Sequence, residues 1–376
     1  MKLQNLTHIL IGILCIGLLP RAQAVVPAPD GGYSNLTTAE GTNALQNLTN
    51  GTGNTGVGWR ALFSAGDANY NTGVGAGALV LNTGDSNTAV GTAALLLNTT
   101  ASQNTAVGTG ALVFNDMGAS NTAVGVNALA SNDIGNSNTA VGVSALPDNV
   151  SGIENTAVGG AALFSNVDGS HNIAIGQAAL ENNTSGSNNI AVGEFAGLAV
   201  TTSNNVIAIG VQGQDISDSC FIGNIFNAMA PSGSAVFIDA NNRLGTNTSS
   251  KRFKEEIKSM DKTSDAIFAL RPVTFRYKKD IDPAGKSQFG LVAEEVEKVN
   301  PDLVVRDKEG KPYSVRYEQV NAMLLNEFLK AHRRMEEQDK RIEELTAQLK
   351  QQAAHIQKVS AKIEGSKPAP QVVSNP

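Results

Sequence analysis

Asn-Thr-Ala-Val-Gly, or a near variant of it, begins at Asn54, Asn71, Asn87, Asn104, Asn121, Asn138, Asn155, Asn172 and Asn189. The step is seventeen residues, with a single step of sixteen between Asn71 and Asn87. Degenerate copies carry the register back to Thr37 and forward to Val206. A seventeen-residue unit is too short to enclose a core of its own. Its apolar side must be buried against the copies before and after it, which makes the stretch a stack of coils rather than a globular domain.

The unit has an internal grammar. Most copies place Ala-Leu seven and eight residues after the Asn, as at Ala61-Leu62, Ala94-Leu95 and Ala128-Leu129, and close on a polar turn such as Asn98-Thr99-Thr100. Short strands stacked at about 4.8 Å would make eleven rungs a rod about 50 Å long. The valine at the fourth position (Val74, Val107, Val124) and the leucine of Ala-Leu are expected to fill the coil. The following glycine allows the bend between strands, and the Asn column is expected to stack as an amide ladder. Alanine at the third position then points to the opposite side of the strand. The column Ala89, Ala106, Ala123, Ala140, Ala157, Ala174, Ala191 is expected to be a smooth face between chains of a trimer, with packing inside its own coil as the alternative. A coil filled by Val, Leu and Ala buries little apolar area per residue, which favours more than one chain.

Residues 37–210 resemble the head repeats of the trimeric autotransporter adhesins, most closely at Asn172-Ile173-Ala174-Ile175-Gly176 and Asn189-Ile190-Ala191-Val192-Gly193. That resemblance implies a parallel β-roll. The repeat here is two or three residues longer than theirs. The threonine column (Thr55, Thr72, Thr88, Thr105) leaves open a solenoid that binds a glycan or ice.

Charge divides the chain sharply. Residues 25–250 carry fourteen acids, no lysine and two arginines, Arg60 and Arg243, whereas residues 251–376 carry twenty acids and twenty-four bases. The acidic array excludes a phosphate-tracking surface, so nucleic acid is not an expected partner. At the start, Lys2, the apolar run Ile9 to Leu19 and Ala22-Gln23-Ala24 read as a signal peptide over 1–24. A secreted or cell-surface protein follows, with no stable membrane span once the signal is removed. Cys220 is then the sole mature cysteine, expected as a small buried apolar residue. The repeats are assigned to 25–210 and a neck to 211–248, with short strands at Cys220 to Gly223 and Ala235 to Asp239.

From Ser249 the pattern is that of a small α+β unit over 249–317. An extended piece is expected at Arg252 to Ile257, then a short helix capped at Thr263-Ser264-Asp265 and ending near Leu270. A strand over Val273 to Tyr277, a helix over Ala293 to Lys298, and a hairpin joining Leu303-Val304-Val305 to Tyr313 to Val315 complete it. Four separated segments resemble the peptidase S74 family, the intramolecular chaperones of phage endosialidases and tail fibres. They are Ser249 to Ile257, Leu270 to Lys278, Gly290 to Val296 and Tyr317 to Val320. The resemblance implies a trimerising domain that guides assembly of the β-rich part before it and then cuts itself off. By position the cut is the Thr248–Ser249 bond, with Ser249 and Lys254 as catalytic residues. The family has Asp after the serine where this chain has Ser250. A serine hydroxyl needs a base, and a serine–lysine pair supplies one once the amine is neutral. The histidines (His8, His171, His332, His355) are scattered, and neither a metal-ligand spacing nor a phosphate loop occurs, so neither cofactor nor metal is expected.

Phe328, Met335, Ile342, Leu349, Ile356 and Ile363 recur every seven residues, with Leu324, Ala331, Leu345 and Val359 as companions and Gln338 and Gln352 breaking the seam. This is a coiled coil over 318–365, followed by a disordered tail over 366–376. The sequence thus predicts a mainly β protein: a parallel β-solenoid, a small α+β chaperone unit and a C-terminal coiled-coil helix. The expected partner is itself, as a homotrimer, with a cell-surface or glycan receptor as a candidate ligand. The alternatives are an uncut structural trimer and a ligand-binding solenoid.

Overall fold

The computed structural model describes residues 34–365. The expected signal segment and the expected C-terminal tail lie outside the described residues. Contacts divide the chain into two compact units, the first ending at Met229 and the second beginning at Ala230.

The first unit is a parallel β-solenoid. Its strands are Thr38–Glu40, Thr55–Val57, Thr72–Val74, Thr88–Val90, Thr105–Val107, Thr122–Val124, Thr139–Val141, Thr156–Val158, Ile173–Ile175, Ile190–Val192, Ile207–Ile209 and Cys220–Ile222 (β1 to β12). Each pairs only with its sequence neighbours, in the order β1 to β12. The register is strict, with Thr105 on Thr122, Ala106 on Ala123 and Val107 on Val124. The sheet runs past the repeat period, because Cys220 pairs with Ile207 at a thirteen-residue step. The first strand of the expected neck is therefore a twelfth rung. Cys220 is exposed rather than buried, since Phe221 takes the inward position of that three-residue strand and packs against the core.

The inward and outward residues of the strands are the reverse of those expected. Ala106 is fully buried while Val107 is 37% exposed, and the same contrast holds from β4 to β8. A three-residue strand turns one side chain inward and two outward. What chooses the phase is the leucine of the preceding coil. A Cβ built on Gly56 would lie 3.1 Å from Leu45 Cγ, and one on Gly73 3.2 Å from Leu62 Cγ. A single Cβ already presses on the leucine there, so the site takes nothing larger than the alanine found on the other rungs. The core is therefore two alanines and a leucine per rung, and the alanine column is not a free face.

The leucine itself adopts a left-handed backbone, with φ of 52° at Leu62 and 51° at Leu95. That costs roughly 1–2 kcal/mol. Full burial of a leucine contributes roughly 1.5–3 kcal/mol, and its N–H bonds the next rung, Leu62 to the Ala78 carbonyl at 2.9 Å. The net gain per rung is small, so stability depends on stacking. The corner glycine is obligatory for two reasons: Gly108 has φ of 136°, and a Cβ on it would sit 2.4 Å from the Gly125 carbonyl oxygen.

Two asparagine columns run through the interior. In the first, each Oδ1 accepts the next backbone N–H, as Asn104 N donates to Asn87 Oδ1 at 2.9 Å. The second column, Asn82 to Asn183, makes side-chain-to-side-chain bonds, with Asn115 Nδ2 donating to Asn98 Oδ1 at 2.8 Å. From Asn87 to Asn183 both columns also tie to one shared carbonyl per rung, Gly118 O on one rung and Ala101 O on another. The expected ladder of amides is thus mostly amide-to-backbone in the first column and amide-to-amide in the second.

The second unit holds three antiparallel hairpins: Val236–Ile238 with Leu244–Thr246 (β13, β14), Val273–Phe275 with Gln288–Gly290 (β15, β16), and Val304–Arg306 with Pro312–Val315 (β17, β18). The helices are Ala293–Val299 (α1) and Tyr317–Gly365 (α2). Its core is six residues, Val296, Leu303, Val304, Val315, Val320 and Met323, small for a free-standing domain. Arg271 braces α1 through two bonds to Glu295, at 3.0 and 2.5 Å. Only the first turns of α2 reach this core. Farther along, Leu324, Phe328, Met335, Ile342, Leu345, Leu349, Ile356 and Val359 are all exposed, Phe328 by 65% and Leu345 by 44%. Among the described residues no helix is long and apolar enough to cross a membrane.

Candidate functional site

The six residues Ser249 to Lys254, which follow β14, carry the predicted chemistry. Ser250 is extended, and Lys251–Phe253 then form a single 3₁₀ turn closed by bonds from Phe253 N to Ser250 O and from Lys254 N to Lys251 O, both 3.1 Å. The extended segment expected over Arg252 to Ile257 is replaced at its start by this turn, which contains Arg252 and Phe253. Five fully extended residues would span about 17 Å. The turn instead returns Lys254 to the serine, and Lys254 Nζ donates to Ser249 Oγ at 3.0 Å. Arg252 lies with its guanidinium over the Phe253 ring at 4.7 Å, which leaves Lys254 as the basic side chain on the hydroxyl. Thr248 precedes the pair, and its Oγ1 accepts weakly from Ser250 N at 3.4 Å. Glu256, at φ of 50°, pairs with Lys258 at 3.0 Å, so this acid is engaged away from Lys254.

A hydroxyl and an amine at this separation can exchange a proton directly. All of the residues involved are exposed in the single chain, and Phe253 and Ile257 beside them expose about three fifths of their surface. The structure thus brings together Ser249 and Lys254, with the Thr248 carbonyl one bond away.

Sequence reasoning missed a second polar cluster. Ser264, expected as a helix cap, makes no cap; the 3₁₀ stretch Asp261–Ala269 starts three residues before it. Ser264 is instead fully buried against α2, in contact with Asn326, Glu327 and Lys330. The partners lie more than sixty residues away in sequence, so no local pattern announced them.

The fold is that of a repeat rod followed by a small α+β unit and a long helix with an uncovered apolar seam. The second unit carries the relationship to known proteins. Residues 249–305 match the family model Peptidase S74, chaperone of endosialidase, and the match starts at Ser249 itself. No curated protein and no solved structure gives a significant match to the chain.

Proposed function

We propose that this protein is a secreted or cell-surface homotrimeric fibre of the adhesin or tail-fibre kind. Its C-terminal unit nucleates the trimer and then cleaves the Thr248–Ser249 bond once. The observation that carries this reading is the 3.0 Å contact between Lys254 Nζ and Ser249 Oγ at the first residue of the family match. In the cut, neutral Lys254 takes the hydroxyl proton as Ser249 Oγ adds to the Thr248 carbonyl carbon. The C–N bond breaks, the proton passes to the departing Ser249 amine, and an ester joins Thr248 to Ser249 Oγ. Water hydrolyses that ester, leaving a Thr248 carboxylate and a new Ser249 amino terminus. The enzyme is its own substrate, so one turnover is the whole reaction.

Trimerisation is supported by the uncovered seam of α2, whose heptads need partners. It is also supported by the outward column of the solenoid. Val90, Val107, Val124, Val141, Val158, Ile175, Val192 and Ile209 stack on successive rungs, each more than a third exposed. This column, and not the alanine column, is the apolar face by which three rods would associate. Larger exposed patches of this kind mark interaction surfaces. The reading is tested by intact mass and light scattering of the wild type and Ser249→Ala. Self-cleavage requires two fragments from the wild type and one full-length mass from the variant. A whole wild-type chain that is still trimeric would make the second unit a permanent foldon instead.

A further inference from the structure

The second unit contains two serine–lysine contacts with opposite surroundings. Ser249 and Lys254 are exposed. Ser264 is fully buried; its Oγ donates to Glu327 Oε1 and accepts from Asn326 Nδ2 at 2.6 Å and from Lys330 Nζ at 3.2 Å. Lys330 Nζ also donates to Glu327 Oε1 at 2.5 Å and to Asp265 Oδ1 at 2.9 Å. Bonds to Glu327 and then Asp265 push the Lys330 amine above its usual 10.5. It stays cationic and acts as a strut rather than a base.

The position of this cluster in the chain gives it a role. From Thr248 to Lys258 the side-chain hydrogen bonds and ion pairs close within the segment itself. Ser259 then bonds Asp261 at 2.5 Å. The Asp261 carbonyl is held by Asn326 Nδ2 at 3.1 Å, and neighbouring Met260 packs against the small core. Met260 and Asp261 are therefore the first fixed points after the serine–lysine pair, and α2 fixes one of them. On α2, at 100° per residue, Val320, Met323, Asn326, Glu327 and Lys330 share the face toward their own unit. Leu324, Phe328 and Met335 lie on the adjoining face, uncovered. One rigid helix thus grips the segment leading from the pair and offers a seam to a partner helix.

We propose that Ser264, Asn326, Glu327 and Lys330 are a positioning clamp that transmits pairing of α2 with its partner helices to the geometry of Ser249 and Lys254. The clamp touches no reacting atom. The cleavage half of this inference rests on the function proposed above. In the single chain the clamp is closed and the pair stands at 3.0 Å; partner helices hold α2 in that state, whereas fluctuations of an unpaired α2 open the clamp for part of the time and release Met260–Asp261, and with them the pair. Misplacement on that scale costs on the order of tenfold to a hundredfold in rate.

The test follows full-length protein made in cell-free synthesis, with the cut fraction and the trimer fraction measured at the same time points. Ser264→Ala and Lys330→Met are expected to slow cleavage on the order of tenfold per trimer formed, and Lys330→Arg to restore it. In a Ser249→Ala background, which stays whole, hydrogen exchange over residues 249–260 is expected to quicken in the Lys330→Met trimer. Cleavage that falls only in proportion to trimer content overturns the proposal, as does unchanged exchange in that trimer. If the wild type is never cut, the proposed function fails separately, and the exchange measurement still decides the clamp.

Discussion

Alanine at the centre of each rung sets how much fits inside a coil, and valine beside it sets what the coil shows outside. Ala106 and Val107 therefore predict opposite phenotypes. Ala106→Val adds two methyl groups where a neighbouring leucine leaves room for about one, and overpacking of this kind costs about 1–3 kcal/mol. It is expected to lower the thermal midpoint whatever the protein concentration. Val107→Ala removes outward apolar surface only, and is expected to weaken association with little change within a coil. Thermal melts at two concentrations separate the two effects; a Val107→Ala midpoint as low as that of Ala106→Val would show that both residues are core.

The last turn of the solenoid is an element with its own lock. Asp215 accepts from Thr201 N and Ser203 N at 2.9 Å, from Thr202 N at 3.1 Å and from Thr201 Oγ1 at 2.5 Å. Desolvation pushes this carboxyl up, but the Thr201 hydroxyl and the three N–H groups outweigh it and hold the group well below its ordinary 3.8. A carboxyl depressed by folding stabilises the fold above its unfolded pKa, and the contribution disappears only as pH falls through the lower folded value. The terminal rung is therefore expected to stay closed at pH 4 and to open only in strong acid. Asp215→Asn is expected to expose Thr201 to Ser203 to hydrogen exchange at neutral pH. Protection there that is identical in variant and wild type would show that Asp215 is not the lock. The α2 helix is the contrasting element. Its local sequence makes it helical, yet along most of its length the seam residues are exposed among the described residues of its own unit.

At the scale of the whole molecule, the proposed trimer would share its stability between chains, through the thin rungs and the exposed seam. A chain that stops at Thr248 is expected to be poorly ordered, with a weak β signal in circular dichroism, because its rods lack the helices that start them together. A folded monomeric rod from that truncation would overturn the dependence on the C-terminal unit. The rod itself was legible from the period alone, since Asn-Thr-Ala-Val-Gly at seventeen-residue steps admits no fold that does not stack. The heptads of α2 and the hairpin of Val304–Arg306 with Pro312–Val315 were legible for the same reason, as local patterns, whereas the partners of Val236–Ile238 and Val273–Phe275 were not. Other features were not local. Alternation along three residues fixes that Ala106 and Val107 point opposite ways but not which points in; Leu95 and its equivalents, arriving from the other side of the coil, decided it. The second asparagine column, seen in sequence only as turn residues such as Asn98, became a ladder when stacking placed Asn98 beneath Asn115. The spacing of Ser249 and Lys254 was written in the chain, while their contact needed the 3₁₀ turn between them. Ser264 looked like a cap until α2 arrived from more than sixty residues away. Sequence determined the elements and their repeat, because these depend on neighbours along the chain. Tertiary structure decided which faces are buried and which polar groups meet, because those depend on what packs across the gap.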